Sequence, residues 1–149
     1  MPEHGDSAPV WVIDPVDGTS NFINGDRRFA VMVALVYGSE TRASWIYDPL
    51  ESRMYRVADN SVYRNDELLE LFQEQADPEA YCQHTQFENA GNKGWLQAIR
   101  EKGIEPCYLR CSGHNFLNVL EGRAVAGIST LCKPWDYMPG LAMIHALGG

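Results

Sequence analysis

Hydrophobic positions fall into strand-like runs in the first half of the chain and into helical stripes in the second. Val10 to Ile13 is a short apolar run that reads as a buried strand. Pro15 holds the residue before it in an extended conformation, so that strand is expected to stop at Asp14. Gly18 permits a tight turn, and Thr19 or Ser20 is the expected N-cap of a short helix. Phe29 to Tyr37 is continuous, β-branched and apolar, the pattern of a strand buried on both faces. Gly38-Ser39-Glu40 turns it into Thr41–Tyr47, giving a hairpin that Asp48-Pro49 ends. Arg53–Ala58 and Val62–Arg64 read as further strands around an Asp59-Asn60-Ser61 turn. Met1 to Pro9 is polar and reads as irregular.

Past Arg64 the period lengthens. Asp66 to Gln75 is expected as a short acidic helix with Leu68, Leu69 and Phe72 on one face, broken by Asp77-Pro78. Tyr81–Thr85 is a weak strand. Asn92–Lys102 carries Trp95, Leu96 and Ile99 on one stripe and ends at Gly103. Pro106–Arg110 is a strand. Ser112 is the expected cap of a helix bearing Phe116, Leu117, Val119 and Leu120, which Gly122 closes. Ala124–Thr130 is a strand, and a last helix from Pro134 is expected to bury Tyr137, Leu141 and Ile144. Alternation of this kind implies an α/β fold, helices and sheets layered around one core in a single domain over 1–149.

Charge narrows the partners. The 149 residues carry a formal net charge of -8, and no basic patch stands out, which argues against nucleic acid or an anionic membrane surface. A phosphorylated small molecule stays compatible, because a bound divalent cation inverts the local sign. No run approaches the roughly 20 apolar residues of a membrane span, and no signal peptide is evident, so the expected location is cytoplasmic. Cys82, Cys107, Cys111 and Cys132 form no C-x-x-C pair. Cys107, Cys111, Cys132 and His114 could together hold zinc. Three of the four sit beside apolar strand or helix residues, which fits buried, reduced thiols better.

The most informative stretch is Asp14-Pro15-Val16-Asp17-Gly18-Thr19. A strand end there offers two carboxylates and the Val16 carbonyl, and exposed N–H groups follow. Hard divalent cations take oxygen ligands of that type, and phosphate takes those N–H groups. A solvated Asp-rich turn that caps a helix is the plainer alternative. The stretch resembles the Asp-Pro-x-Asp-Gly-Thr signature of the inositol monophosphatase-like, Mg²⁺-dependent phosphatases. Trp135-Asp136 with Gly140 resembles that family's second signature, Trp-Asp-x-x-x-Gly. Two signatures in the right order are far more specific than one.

The resemblance implies a partial α-β-α-β-α sandwich lacking the family's N-terminal helices. It implies two or three Mg²⁺ ions, with Mn²⁺ as a substitute, held by Asp14, the Val16 carbonyl, Asp17 and Asp136. Gly18 and Thr19 N–H groups would face the phosphate, and Asp136 would also border the substrate. The Thr19 hydroxyl would orient the attacking water, a task the family's threonine shares with a glutamate of its Gly-Glu-Glu stretch, and Asp17 is also expected to be catalytic. Arg110 and Gly113 resemble an Arg-x-x-Gly segment leading to the substrate alcohol. His114 and Asn115 follow it as weaker pocket candidates. Ser129 stands where some members carry a substrate-binding glutamate. A homodimer is the family's common state.

Two departures qualify these expectations. The family's Gly-Glu-Glu stretch is reduced to Met1-Pro2-Glu3, so Glu3 matches the second glutamate and the first is missing. Pro139 stands early in the last helix, where it removes a hydrogen bond and could kink the segment that aims Asp136. Two readings follow: a phosphomonoesterase for a small phosphorylated alcohol (an inositol, sugar or polyol phosphate), or an impaired, truncated member that binds metal or a partner chain. A zinc- or thiol-based protein is the third.

Overall fold

The computed structural model describes residues 8–70, 79–83, 93–103, 105–124, 126–129 and 133–149. Glu3 and the remainder of the N-terminal stretch lie outside these residues. Six strands form an antiparallel meander: β1 (Val10–Asp17), β2 (Ala30–Tyr37), β3 (Glu40–Asp48), β4 (Arg53–Ala58), β5 (Ser61–Arg64) and β6 (Glu67–Leu69). Helix α1 (Thr19–Ile23) interrupts the β1–β2 connection. A second, parallel sheet has the order β8-β7-β9, from β7 (Glu79–Gln83), β8 (Glu105–Cys107) and β9 (Ala126–Ser129). Helix α2 (Lys93–Glu101) packs on β8. Helix α3 (Ser112–Leu120) touches both sheets, and α4 (Pro134–Ala146) crosses the meander. Sheet, helix layer and second sheet succeed one another, as the layered α/β expectation requires.

Local chemistry explains the hairpins. Asp59 and Asn60 both take positive φ between Ala58 and Ser61, the two-residue turn whose twist suits antiparallel strands. One face of the meander is the core side. Ala30, Met32, Ile46, Tyr55 and Val62 are fully buried there, against Leu117, Leu120 and Met143 of the two long helices. Burial of each of the larger aliphatic side chains among them contributes about 1.5–3 kcal/mol.

Several sequence expectations are corrected. β1 does not end at Asp14 but runs to Asp17, because the chain re-enters the ladder after a bulge. Nor is Val10–Ile13 buried: β1 is an edge strand, and Trp11 and Ile13 are 57% and 53% exposed. Trp11 packs against Trp45, ring centroids 5.9 Å apart. β2 is buried on one face and half-buried on the other, since no described element covers its second face. The helix expected from Asp66 begins as strand β6, which pairs Arg64 with Glu67 across a tight turn. Residues 71–78, which would have completed it, lie outside the described residues. The side chains of Trp95, Leu96 and Ile99 do too. In α4 the buried residues are Pro139, Gly140 and Met143, whereas Tyr137 and Leu141 are exposed. Gly140 turns this face inward, because any Cβ there would collide with the Phe116 ring. The helix continues through the buried Pro139.

Candidate metal and phosphate site

In a regular strand, Asp14 and Asp17 would project from opposite faces, three positions being an odd number of half-periods. The pairing with β2 removes that conflict. Asp14 lies opposite Met32 and Asp17 opposite Ala30, so three steps along β1 match two along β2. That single extra residue is a β-bulge, and it returns Asp17 to the face Asp14 already occupies. Pro15 stands inside the bulge, where its missing N–H costs the ladder nothing. The Val16 N–H donates to Asp14 Oδ1 at 3.1 Å.

Gly18 follows with φ 81° and is the N-cap of α1, a correction to the expected Thr19 or Ser20. A left-handed backbone suits glycine. A Cβ at this position would also lie 2.8 Å from the Arg28 carbonyl and 3.1 Å from Cys111 Cβ. The Thr19 hydroxyl donates to the Val16 carbonyl at 2.8 Å, leaving that oxygen a second lone pair. Asn21 is buried and holds the turn's shape. Its Nδ2 donates to the carbonyls of Arg28 (2.7 Å) and Leu109 (2.8 Å), tying the first motif to the segment before α3.

Asp17 is 5% exposed and is held by the start of α3. Its Oδ2 accepts the Gly113 N–H at 2.6 Å and the Cys111 thiol at 3.0 Å. Its Oδ1 accepts the Ser112 N–H at 3.2 Å. A carboxylate facing the exposed N–H groups of a helix start is also favoured by the helix dipole. The N-cap here is Cys111, extended at φ -153°, with Ser112 as the first helical residue instead of the cap. Gly113 is needed for closeness, since a Cβ would come to 2.7 Å of Ala30 Cβ and 3.2 Å of Asp17 Oδ2.

Asp136 comes from the third position of α4, far away in sequence. Lys133 is extended, Pro134 opens the helix, and the Lys133 N–H donates to Asp136 Oδ2 at 2.8 Å. Asp136 therefore caps its helix and also faces the other two aspartates. One oxygen from each of Asp14, Asp17 and Asp136 lies within 4.8 Å of the others. Among the described residues, no Lys, Arg or His pairs with any of the three. Burial first, then the charges of Asp17 and Asp136, raise the Asp14 pKa above its ordinary value. Burial likewise raises Asp17, with Asp136 adding to it and the Cys111, Gly113 and Ser112 donors opposing it. Burial, and next the charge of Asp17, push the Cys111 thiol up, so it stays a protonated donor. Crowded carboxylates with neutral donors behind them and no cation among them are a donor set for hard divalent ions such as Mg²⁺.

Other expected residues fall outside this cluster. The His114 ring is within 3.3 Å of the Phe29 carbonyl and 3.9 Å from Asp48, on the sheet side of α3. Asn115 is buried, with neither amide atom partnered. Arg110 is exposed at φ 56°, its guanidinium 5.8 Å from the Tyr108 ring centroid. Cys107 and Cys111 are free thiols. Cys132 and the Cys82 side chain lie outside the described residues. The contribution sequence reasoning missed is that of Cys111 and Ser112 to holding Asp17. The sequence carried no direct signal for it, since the closeness of Gly113 to Ala30 and Asp17 is a tertiary contact.

The fold matches a solved structure, the extragenic suppressor protein suhB from Bartonella henselae. Its TM-score is 0.83 at 22% identity, over 96% of this chain and 58% of that one. The sequence model of the Inositol monophosphatase family matches residues 2–149, and the chain belongs to that family. It is 28% identical to inositol-1-monophosphatase of Bacillus subtilis, over 98% of this chain and 57% of the relative. It is also 28% identical to Nus factor SuhB of Xylella fastidiosa, over 97% and 55%. The chain thus spans little more than half the length of these relatives. Among the described residues no helix is long and apolar enough to cross a membrane.

Proposed function

We propose that this chain carries the metal-binding half of a Mg²⁺-dependent phosphomonoesterase acting on a small phosphorylated alcohol. The observation behind this reading is the convergence of Asp14, Asp17 and Asp136 within 4.8 Å. These side chains and the Val16 carbonyl would hold two or three Mg²⁺ ions, with Mn²⁺ as a substitute. Bound there, the metal would supply positive charge for the phosphoryl oxygens and lower the pKa of its bound water toward neutrality. Asp14, Asp17 and Asp136 fix that charge, and the bulge and two helix starts keep their geometry rigid before substrate arrives. Thr19, exposed beside Val16, holds the carbonyl in place with its hydroxyl, and its N–H would face the phosphate. The cluster's anionic character admits phosphate only with metal in place.

The test is phosphate release from a panel of inositol, sugar and polyol monophosphates, with and without Mg²⁺. Mg²⁺-dependent release that Asp17→Asn abolishes supports the reading. Metal binding with no turnover on any substrate points instead to the impaired, metal- or partner-binding alternative. The SuhB name borne by relatives makes a protein partner the natural follow-up to that result.

A further inference from the structure

Asp17 is saturated in an uneven way. A carboxylate has about four lone-pair sites. Two on Oδ2 are taken, by the Gly113 N–H and the Cys111 thiol, and one on Oδ1 by the Ser112 N–H. One site remains, on Oδ1. A metal can therefore meet Asp17 through a single oxygen only. The thiol's other acceptor is the Asp17 backbone carbonyl, at 3.8 Å against 3.0 Å for Oδ2, so Oδ2 is its nearer partner. Cys111 itself is fully buried and opens α3. Thiols are weak donors, yet an ionised acceptor strengthens the bond.

We infer that Cys111 is a positioning residue: by occupying Asp17 Oδ2 it confines Asp17 to one-oxygen ligation and so sets the site's preference for a small octahedral cation over Ca²⁺. The inference rests on the reading of Asp17 as a metal ligand. The physical basis is coordination. Mg²⁺ demands near-ideal octahedral geometry with single-oxygen ligands, whereas Ca²⁺ takes six to eight oxygens and accepts bidentate carboxylates. Remove the thiol, and Oδ2 regains a site from which Asp17 can grip with both oxygens.

The experiment measures Mg²⁺ and Ca²⁺ affinities by displacement of Mn²⁺, followed by the EPR signal of free Mn²⁺. It compares wild type, Cys111→Ala and Cys111→Ser, with the melting of each metal-free protein as a control for folding. Cys111→Ala is expected to lower the Mg²⁺:Ca²⁺ affinity ratio about ten-fold, the scale of losing a contact behind a ligand, while Cys111→Ser, which keeps a donor, stays within about three-fold of wild type. A folded Cys111→Ala protein with an unchanged ratio overturns the inference, as a merely packing role predicts that result. So does a Cys111→Ser protein that loses the ratio as Cys111→Ala does. If Cys111→Ala does not fold, the serine variant decides: a retained ratio supports the inference and a lost one ends it. Wild-type protein that binds no Mn²⁺ removes the metal reading itself, and is thereby distinguished from failure of the thiol's role.

Discussion

Two buried carboxylates mark the two ends of α3, and they are satisfied in opposite ways. At the start, Asp17 is 5% exposed and meets only neutral donors, with two more carboxylates close by. At the other end, Glu121 is the helix C-cap, 7% exposed, a position the helix dipole disfavours for an anion. It is nonetheless ringed by cations. Arg53 and Arg64 each approach it at 3.5 Å, Arg123 pairs with it closely, and the Tyr55 hydroxyl donates to it. Glu121 is a neutralised structural staple that pins α3 to β4 and β5. Asp17 keeps an unbalanced charge. Buried charge left without a counter-ion is costly, and the proposed reading accordingly assigns a bound cation to Asp17 and none to Glu121.

The largest effect should come from neutralising the unbalanced end. Asp17→Asn should lower Mg²⁺-dependent phosphate release by more than the roughly 100-fold that loss of a mere supporting contact costs. The metal-free protein should lose little melting temperature, since relief of repulsion offsets the Ser112 N–H bond that an amide Nδ2 cannot accept. Melting curves alongside the phosphatase assay check both halves, and a large drop in melting temperature would mean Asp17 is a staple like Glu121.

Gly113→Ala strikes the same end through sterics. A Cβ pressed into Ala30 and Asp17 should destabilise by about 1–3 kcal/mol, as overpacking does. Metal affinity should fall with it, because the helix start must back away from Asp17. Urea denaturation and Mn²⁺ titration measure the two effects.

Glu121→Ala should split them. Truncating a buried, paired carboxylate costs about 3 kcal/mol, the low end of the usual range because the arginines keep access to water. The folded fraction should bind metal as wild type does. A matching loss of metal affinity would show that the two ends of α3 are mechanically coupled.

The smallest effect is in pH dependence. Asp14 and Asp17 have folded pKa values raised above the ordinary 3.8. Between 3.8 and the raised values the folded protein therefore binds more protons than the unfolded chain. That contribution to stability is present below 3.8 and is lost as pH climbs through the raised values. Metal-free protein should lose melting temperature along this acid limb, and saturating Mg²⁺ should reverse the slope. Tyr55, pushed up to about 12 chiefly by burial and next by its bond to Glu121, governs the alkaline limb. Its contribution holds below pH 10, fades toward 12, and should be indifferent to Mg²⁺.

Much of this was legible in the chain. The hairpin strands through Arg64, the α3 and α4 helices, and the pairing of an Asp-Pro-x-Asp-Gly-Thr stretch with a distant Trp-Asp follow from period, turn residues and motif. These depend on neighbours within a few positions. The errors cluster where partners are remote. Val10–Ile13 read as buried because its composition is that of a core strand. An edge strand with an uncovered face looks the same in sequence. Leu68 and Leu69 fit a helical stripe until β5 offered backbone bonds to pair with. The inward face of α4 was misjudged because it is set by the fit of Gly140 against Phe116.

Sequence alone determined which residues could ligate a cation, because that is a property of side-chain oxygens and of the order of two motifs. Only tertiary structure decided that they meet. The β1 bulge against β2 puts Asp14 and Asp17 on one face, and the start of α4 carries in Asp136 from 119 positions beyond Asp17 (136 less 17). Strand register and helix docking are set by long-range packing, and no local pattern encodes them.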